Sequence, residues 1–169
     1  MQKIEIQTKK YLSQYFGLKY PEGLVMNQSC IEGMVLFAQI VHEKRKYANN
    51  KGEQSRVLEL DSSIILSVAG YEYKKSYTVM ERGQEITKTV AVPKLVGSLG
   101  QGVVISCNNI LRDFFMADFF NHADKEILRN QKHIKVIVFD FMAKFALSDD
   151  DFKFESLLRT YRRYRAELS

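Results

Sequence analysis

The sequence predicts an α+β fold that is mainly α. Apolar residues recur at spacings of three and four through most of the 169-residue chain, which is the pattern of one helix face. Residues 75–92 instead alternate apolar and polar positions around a glycine, as the arms of a β-hairpin do. Only two prolines are present, which suits long helices. We expect N-terminal helices plus a β-hairpin in residues 1–95 and a C-terminal three-helix unit in residues 103–169. The segment 93–102 is the candidate hinge, although the two units can also pack as one domain.

The composition indicates a globular protein with a packed core. Apolar residues make up 46% of the chain and charged residues 27%, both close to globular averages. Cys30 and Cys107 are too few and too far apart for a metal site or a disulfide framework, so two reduced, buried thiols are expected. The most apolar run, Val136–Phe139, is interrupted by Asp140, and charges near the N-terminus exclude a signal-peptide pattern. We therefore expect a cytoplasmic or otherwise intracellular protein with no membrane partner, and association with a virion is the alternative.

The N-terminal pattern predicts two helices with a short strand between them. Residues 3–16 are expected to form the first helix, with Gly17 as its C-terminal glycine. Residues 24–26 form a brief apolar run that suits a strand. An S-x-x-E capping box at 29–32 opens a long second helix that continues to about Tyr47. The residues expected to be buried on this second helix are Cys30, Ile31, Met34, Val35, Ala38 and Val41.

The next segment is ambiguous, and the one after it is clear. Residues 56–69 fit helical spacing, yet 63–69 is also rich in the β-branched residues that strands favour; we favour a helix that ends at Gly70. Lys75–Glu81 and residues 85–92 then form the two arms of the hairpin, with Gly83 in the turn.

Aromatic pairs dominate the helical pattern that follows Val103–Ser106 and continues through Phe120. It carries two Asp-Phe-Phe units, and aromatic side chains at adjacent positions point in different directions around a helix. The helix is therefore buried on two sides, either at the centre of the fold or against another subunit. The candidate oligomer-interface residues are Phe114, Phe115, Phe119 and Phe120. Asp124 is expected to cap the following helix.

The last helix has a predicted start, a buried stripe and a basic face. Ser148 suits the N-cap, with Asp149–Asp151 in the first turn opposite the positive end of the helix dipole. The apolar and aromatic residues that lie on one face by their spacing are Phe154, Leu157, Leu158, Tyr161, Tyr164 and Leu168. The arginines of this helix are Arg159, Arg162, Arg163 and Arg165.

These arginines predict a contact with nucleic-acid phosphates. The net charge of +5 permits such binding without requiring it. The alternative is an ordinary solvated face, since five basic and five acidic residues cancel over 149–169. The further candidate nucleic-acid contacts are Lys44, Arg45, Lys46, Lys75 and Arg82.

The expected N-terminal order of helix, short strand, helix, helix and hairpin is similar to that of winged-helix domains. The resemblance is one of architecture alone, without a shared motif. It implies that the hairpin is a basic wing and that Val57–Val68 is the recognition helix. The alternative is a small α+β unit whose hairpin serves packing or subunit contact.

No motif for catalysis, metal binding or cofactor binding is present. The glycine-rich stretch 97–102 lacks the G-K-[ST] ending of a phosphate-binding loop. His42, His122 and His133 have no metal-ligand spacing. The sequence therefore predicts a non-enzymatic nucleic-acid-binding protein without a cofactor. The alternative is a structural or assembly subunit that contacts itself or other proteins, such as a phage ring or connector protein.

Overall fold

The computed structural model describes residues 2–25, 30–47, 60–68, 75–81, 84–90 and 99–168. Within these residues the fold is α+β and mainly helical, as the sequence predicts. The elements in chain order are β1 (Gln2–Thr8), α1 (Lys10–Lys19), β2 (Leu24–Val25), α2 (Ile31–Tyr47), β3 (Ser62–Val68), β4 (Lys75–Glu81), β5 (Gln84–Val90), α3 (Gln101–Asn130), α4 (Ile134–Lys144) and α5 (Phe154–Glu167).

A three-stranded sheet forms in the order β1-β3-β2. β1 and β3 are antiparallel and pair along their full length, whereas β2 is parallel to β3 and pairs through two residues. Ile4 lies opposite Leu66 and Ile6 lies opposite Ile64, and all four side chains are buried. These cross-strand apolar pairs attach the sheet to the core.

The predicted first helix over residues 3–16 is wrong in its first half. Residues 2–8 form β1, in which Ile4 and Ile6 are buried while Glu5 and Gln7 are exposed, the two-residue period of a half-buried strand. Helix α1 starts at Lys10 and continues through Gly17 to Lys19, so Gly17 does not end it.

The preferred helix over residues 56–69 is also wrong. Ser62–Val68 is β3, the central strand of the sheet, and its β-branched residues fit that position. This strand occupies most of the segment that a winged-helix domain would use as its recognition helix. The winged-helix resemblance is therefore corrected.

The predicted hairpin is confirmed. β4 and β5 are antiparallel and pair from Lys75 with Val90 to Glu81 with Gln84. The turn residues Arg82 and Gly83 lie outside the described residues. The candidate hinge over 93–102 also lies mostly outside them, and its last residues already belong to α3.

Helix α3 is the central element of the fold. It extends over 30 residues without a break, so the predicted end near Phe120 and the predicted cap at Asp124 are both wrong. Its buried stripe recurs every fourth residue and comprises Cys107, Leu111, Phe115, Phe119 and Ala123. One hydrophobic core includes this stripe together with residues of β1, α1, α2, β3, α4 and α5. The two expected units therefore share a single core.

Helix α2 buries a different face from the one predicted. Ile31, Met34 and Val35 are exposed, and the helix packs inward through a stripe that begins at Gly33 and continues to Ile40. A Cβ atom on Gly33 would lie 2.4 Å from the backbone oxygen of Val25. The close approach of α2 to β2 at this glycine sets which face of the helix is buried.

The start of α5 also differs from the prediction. The helix begins at Phe154, and Ser148 lies in the preceding turn, where its hydroxyl donates to Asp151 Oδ2 at 2.6 Å. Asp149 Oδ1 accepts the backbone N–H of Phe154 at 2.7 Å. A carboxylate thus satisfies the first N–H of α5 from outside the helix, rather than from its first turn.

Candidate nucleic-acid interface

Three arginines form an exposed surface on α5. Leu157, Leu158 and Tyr161 turn the opposite face of the helix into the core. Arg159, Arg162 and Arg163, which we name the arginine surface, are all exposed. Residues three and four apart are neighbours on a helix, about 5–6 Å apart at Cβ, so Arg162 and Arg163 each leave the helix next to Arg159.

No ion pair joins the arginine surface to any other residue that the structure describes. The two nearest acidic residues along the helix are Glu155, one turn before Arg159, and Glu167, one turn after Arg163. Both lie at the ends of the surface. The centre of the surface is therefore a concentration of positive charge with hydrogen-bond donors directed at solvent.

Asp124 of α3 anchors the C-terminal half of α5. The Tyr161 hydroxyl donates to Asp124 Oδ1 at 2.6 Å, and the Tyr164 hydroxyl donates to Oδ2 at 3.2 Å. Arg165 Nη1 lies 3.5 Å from Oδ1. The Tyr164 ring stacks on Phe120 with centroids 4.3 Å apart and planes 10° apart. Arg165 is therefore paired with Asp124, unlike the three arginines of the surface.

The same contacts keep the two tyrosines protonated. Burial raises the pKa of Tyr161, and the hydrogen bond to Asp124 raises that pKa further. Burial and the same carboxylate also raise the pKa of Tyr164. Both hydroxyls consequently remain protonated and act as donors throughout the neutral pH range.

The other predicted basic contacts lie outside the part of the chain whose side chains are described. Lys44, Arg45 and Lys46 belong to the C-terminal end of α2, and Lys75 is the first residue of β4. Only their backbone positions are described, and Arg82 is not described at all. Their role in an interface stays a prediction.

The four phenylalanines of the predicted oligomer interface belong to the core instead. Phe115 and Phe119 have no exposed surface, and Phe114 and Phe120 are partly buried against the same core. Of the two explanations for a helix with aromatic residues on several faces, the central position in the fold is the one observed. Phe115 and Phe119 are therefore too deeply buried to reach another subunit, whereas an interface role for Phe114 and Phe120 stays a prediction.

A second polar cluster, which sequence reasoning missed, joins α1, α2 and α3. Lys19 Nζ lies 2.7 Å from Glu32 Oε1 and also contacts Asp118 Oδ2, which accepts a hydrogen bond from the Tyr15 hydroxyl. Burial opposes ionisation of Glu32, but hydrogen bonds from Lys19 and neighbouring groups lower its pKa overall. Because Lys19 is already paired with two carboxylates, the cluster serves packing between helices rather than binding of an anion. No local pattern predicts it, since Lys19 and Asp118 are 99 positions apart.

Comparison with protein-family models, curated proteins and solved structures finds no match to this chain. Its function is therefore argued from its own residues. Among the described residues, the arginine surface of α5 and the exposed apolar residues of α2 are two surface features that can meet a partner.

The described residues contain no group of three or more metal-binding side chains placed to hold an ion. His122 packs against Phe141 with ring centroids 5.6 Å apart, and burial lowers its pKa. His133 caps α4, its Nδ1 accepting the backbone N–H of Lys135 at 3.3 Å. Among the described helices none combines the length and the apolar character needed to cross a membrane.

Proposed function

We propose that this chain is a non-enzymatic nucleic-acid-binding protein that contacts phosphates through the arginine surface of α5. One observation carries the proposal: Arg159, Arg162 and Arg163 are exposed on one face of α5 and form no ion pair with another described residue. A guanidinium group matches the geometry of a phosphate and can donate two parallel hydrogen bonds to it. Three such groups on one rigid helix suit a phosphate backbone.

The mechanism is neutralisation of phosphate charge, with release of the counterions that surround the nucleic acid. Phosphate contacts position a protein on a duplex but do not distinguish sequences. Each neutralised phosphate of a DNA duplex contributes about −0.9 to the slope of log affinity against log salt. Three contacts therefore correspond to a slope of roughly −3, with little dependence on base sequence.

The test replaces the three arginines together with alanine and measures binding to labelled duplex DNA and duplex RNA by fluorescence anisotropy. We expect the unmodified protein to bind at low salt and to weaken steeply as salt rises. The R159A/R162A/R163A variant should lose most of this affinity. Because the variant loses three positive charges, its control must lose three as well.

The matched control replaces three other exposed basic residues with alanine. They are Lys3 in β1, Lys9 just before α1 and Lys135 in α4. This control should retain much more affinity than the arginine variant, since it changes net charge equally but leaves α5 intact. The proposal is wrong if the unmodified protein shows no binding at low salt. It is also wrong if the two triple variants lose affinity equally.

A second candidate function is that of an assembly subunit, and the exposed apolar face of α2 favours it. Ile31 is 64% exposed, Met34 44% and Val35 38%, and Ala38 continues the same face. Between residues 31 and 42 the chain has one acidic residue, Glu32, which is turned inward to Lys19. Because this face presents no full charge over that span, it can meet the same face of a second copy without desolvating charges.

Light scattering across a range of protein concentrations tests the assembly function. We expect the mass to rise above that of a monomer and Met34→Lys to reduce it, because the lysine would introduce a charge into the contact. Leu128→Lys is the matched control, since Leu128 is 77% exposed on α3. A constant monomer mass, or an equal effect of both lysines, argues against the assembly function.

A further inference from the structure

Three donors of α5 converge on one carboxylate of α3. Tyr161, Tyr164 and Arg165 all reach Asp124, whose side chain is 24% exposed. The three donors belong to the C-terminal half of α5, within the same turns as Arg162 and Arg163. Helix α5 also packs on the core through apolar side chains such as those of Leu157 and Leu158. Apolar contacts are non-directional, whereas hydrogen bonds fix orientation.

We infer that Asp124 is the positioning residue of the arginine surface, an inference that rests on the function proposed above. Its bonds to α5 fix the rotation of the helix about its axis and hold the turn that carries Arg162 and Arg163. Asp124 itself does not touch the nucleic acid.

The direction in which affinity for nucleic acid changes when Asp124 is removed distinguishes a positioning role from a purely electrostatic one. Asp124 is a negative charge close to a basic helix, so its removal alone would raise the affinity for a polyanion. Loss of the anchor has the opposite consequence, because the guanidinium groups would no longer be held in one arrangement. A fall in affinity when this negative charge is removed would therefore show that Asp124 positions the guanidinium groups.

The experiment measures anisotropy of a labelled DNA duplex with Asp124→Ala, Asp124→Asn and the control Asp113→Ala. Asp113 is an exposed acid on the same helix, and no described hydrogen bond or ion pair involves it. Asp124→Ala should lower the affinity several-fold and reduce the magnitude of the salt slope by about 1. Asp124→Asn keeps an acceptor for the tyrosines, so its affinity should lie between those of Asp124→Ala and the unmodified protein. Asp113→Ala should bind as well as the unmodified protein or slightly better.

A second variant keeps the inference testable if Asp124→Ala does not fold. Tyr161→Phe combined with Tyr164→Phe removes two donors and retains both rings and the charge of Asp124. It should also lower the affinity and reduce the salt slope, while circular dichroism shows unchanged helix content.

The outcomes separate the inference from the proposed function. If the unmodified protein does not bind, or binds without the arginine surface, the proposed function fails and the inference fails with it. If binding depends on the arginine surface but Asp124→Ala and the double tyrosine variant bind as tightly as the unmodified protein or more tightly, only the positioning role is overturned.

Discussion

Gly33 shows how one residue decides the orientation of a whole helix. Spacing alone predicts that Ile31, Met34 and Val35 are buried, because they are the apolar residues of one face. The observed orientation instead places Gly33 against β2, where a side chain has no room. As a result, the apolar face with Ile31, Met34 and Val35 is exposed. This is the face to which we assign the contact in the assembly function.

Gly33→Ala should therefore destabilise the protein. The added Cβ would lie 2.4 Å from the oxygen and 2.9 Å from the carbonyl carbon of Val25, and both are backbone atoms that cannot rotate away. Forcing extra volume into a packed contact costs about 1–3 kcal/mol. The free energy of unfolding in urea measures the loss.

Gly17→Ala is the matched control for this substitution. Gly17 is also helical, but a Cβ atom there would meet nothing within 4 Å. Alanine in an open helical position should stabilise the protein by about 0.5–1 kcal/mol relative to glycine. Equal effects of the two substitutions would show that the contact with Val25 does not limit the position of α2.

At the scale of elements, the sequence predicts structure where the signal is local. The hairpin was predictable because Gly83 and two alternating arms lie within 20 residues, and the buried face of α5 because its stripe spans a single helix. β1 was not predictable in this way. Its alternation of Ile4, Glu5, Ile6 and Gln7 is too short to outweigh the helical pattern that follows.

The central strand β3 was missed for a related reason. Its sequence fits both helix and strand, and pairing with β1 on one side and β2 on the other decides the outcome. The pairing with β1 joins residues 54 to 66 positions apart, from Thr8 with Ser62 to Gln2 with Val68, and no local spacing predicts it.

The same difference between local and distant signals applies to the candidate site. Helical spacing correctly predicts that Arg159, Arg162 and Arg163 lie opposite the buried stripe of α5. The role of Asp124 is invisible to that reasoning, since its partners Tyr161 and Tyr164 follow 37 and 40 positions later. Its position in the chain suggested a helix cap, but α3 passes through it without a break.

At the scale of the whole molecule, an ion pair joins the N-terminal region to the turn before the last helix. The Lys10 ammonium group at the start of α1 lies 2.8 Å from Asp151 Oδ1 in the turn before α5. Ser148 adds a hydroxyl donor to the same carboxylate at 2.6 Å. The bond thus links the N-terminal sheet-and-helix region to the turn from which α5, and with it the arginine surface, begins.

This link predicts a loss of stability in acid. Hydrogen bonds from Lys10 and Ser148 lower the pKa of Asp151 from its ordinary value of 3.8 to about 2. A carboxyl with a lower pKa in the folded state contributes stability that is fully present above pH ~4 and disappears as the pH falls toward 2. Asp151→Asn should therefore be less stable than the unmodified protein at pH 7, and the difference should shrink on acidification through this range.

Urea unfolding at several pH values between 7 and 2 measures this difference. Asp150→Asn is the matched control, because Asp150 is an exposed neighbour with no described hydrogen bond or ion pair. It should change stability little at any pH. A difference between Asp151→Asn and the unmodified protein that stays constant down to pH 2 would show that the Asp151 carboxylate is not the source of the acid sensitivity. Because the same turn leads into α5, nucleic-acid binding by Asp151→Asn at pH 7 would also reveal whether the link between the chain ends affects the arginine surface.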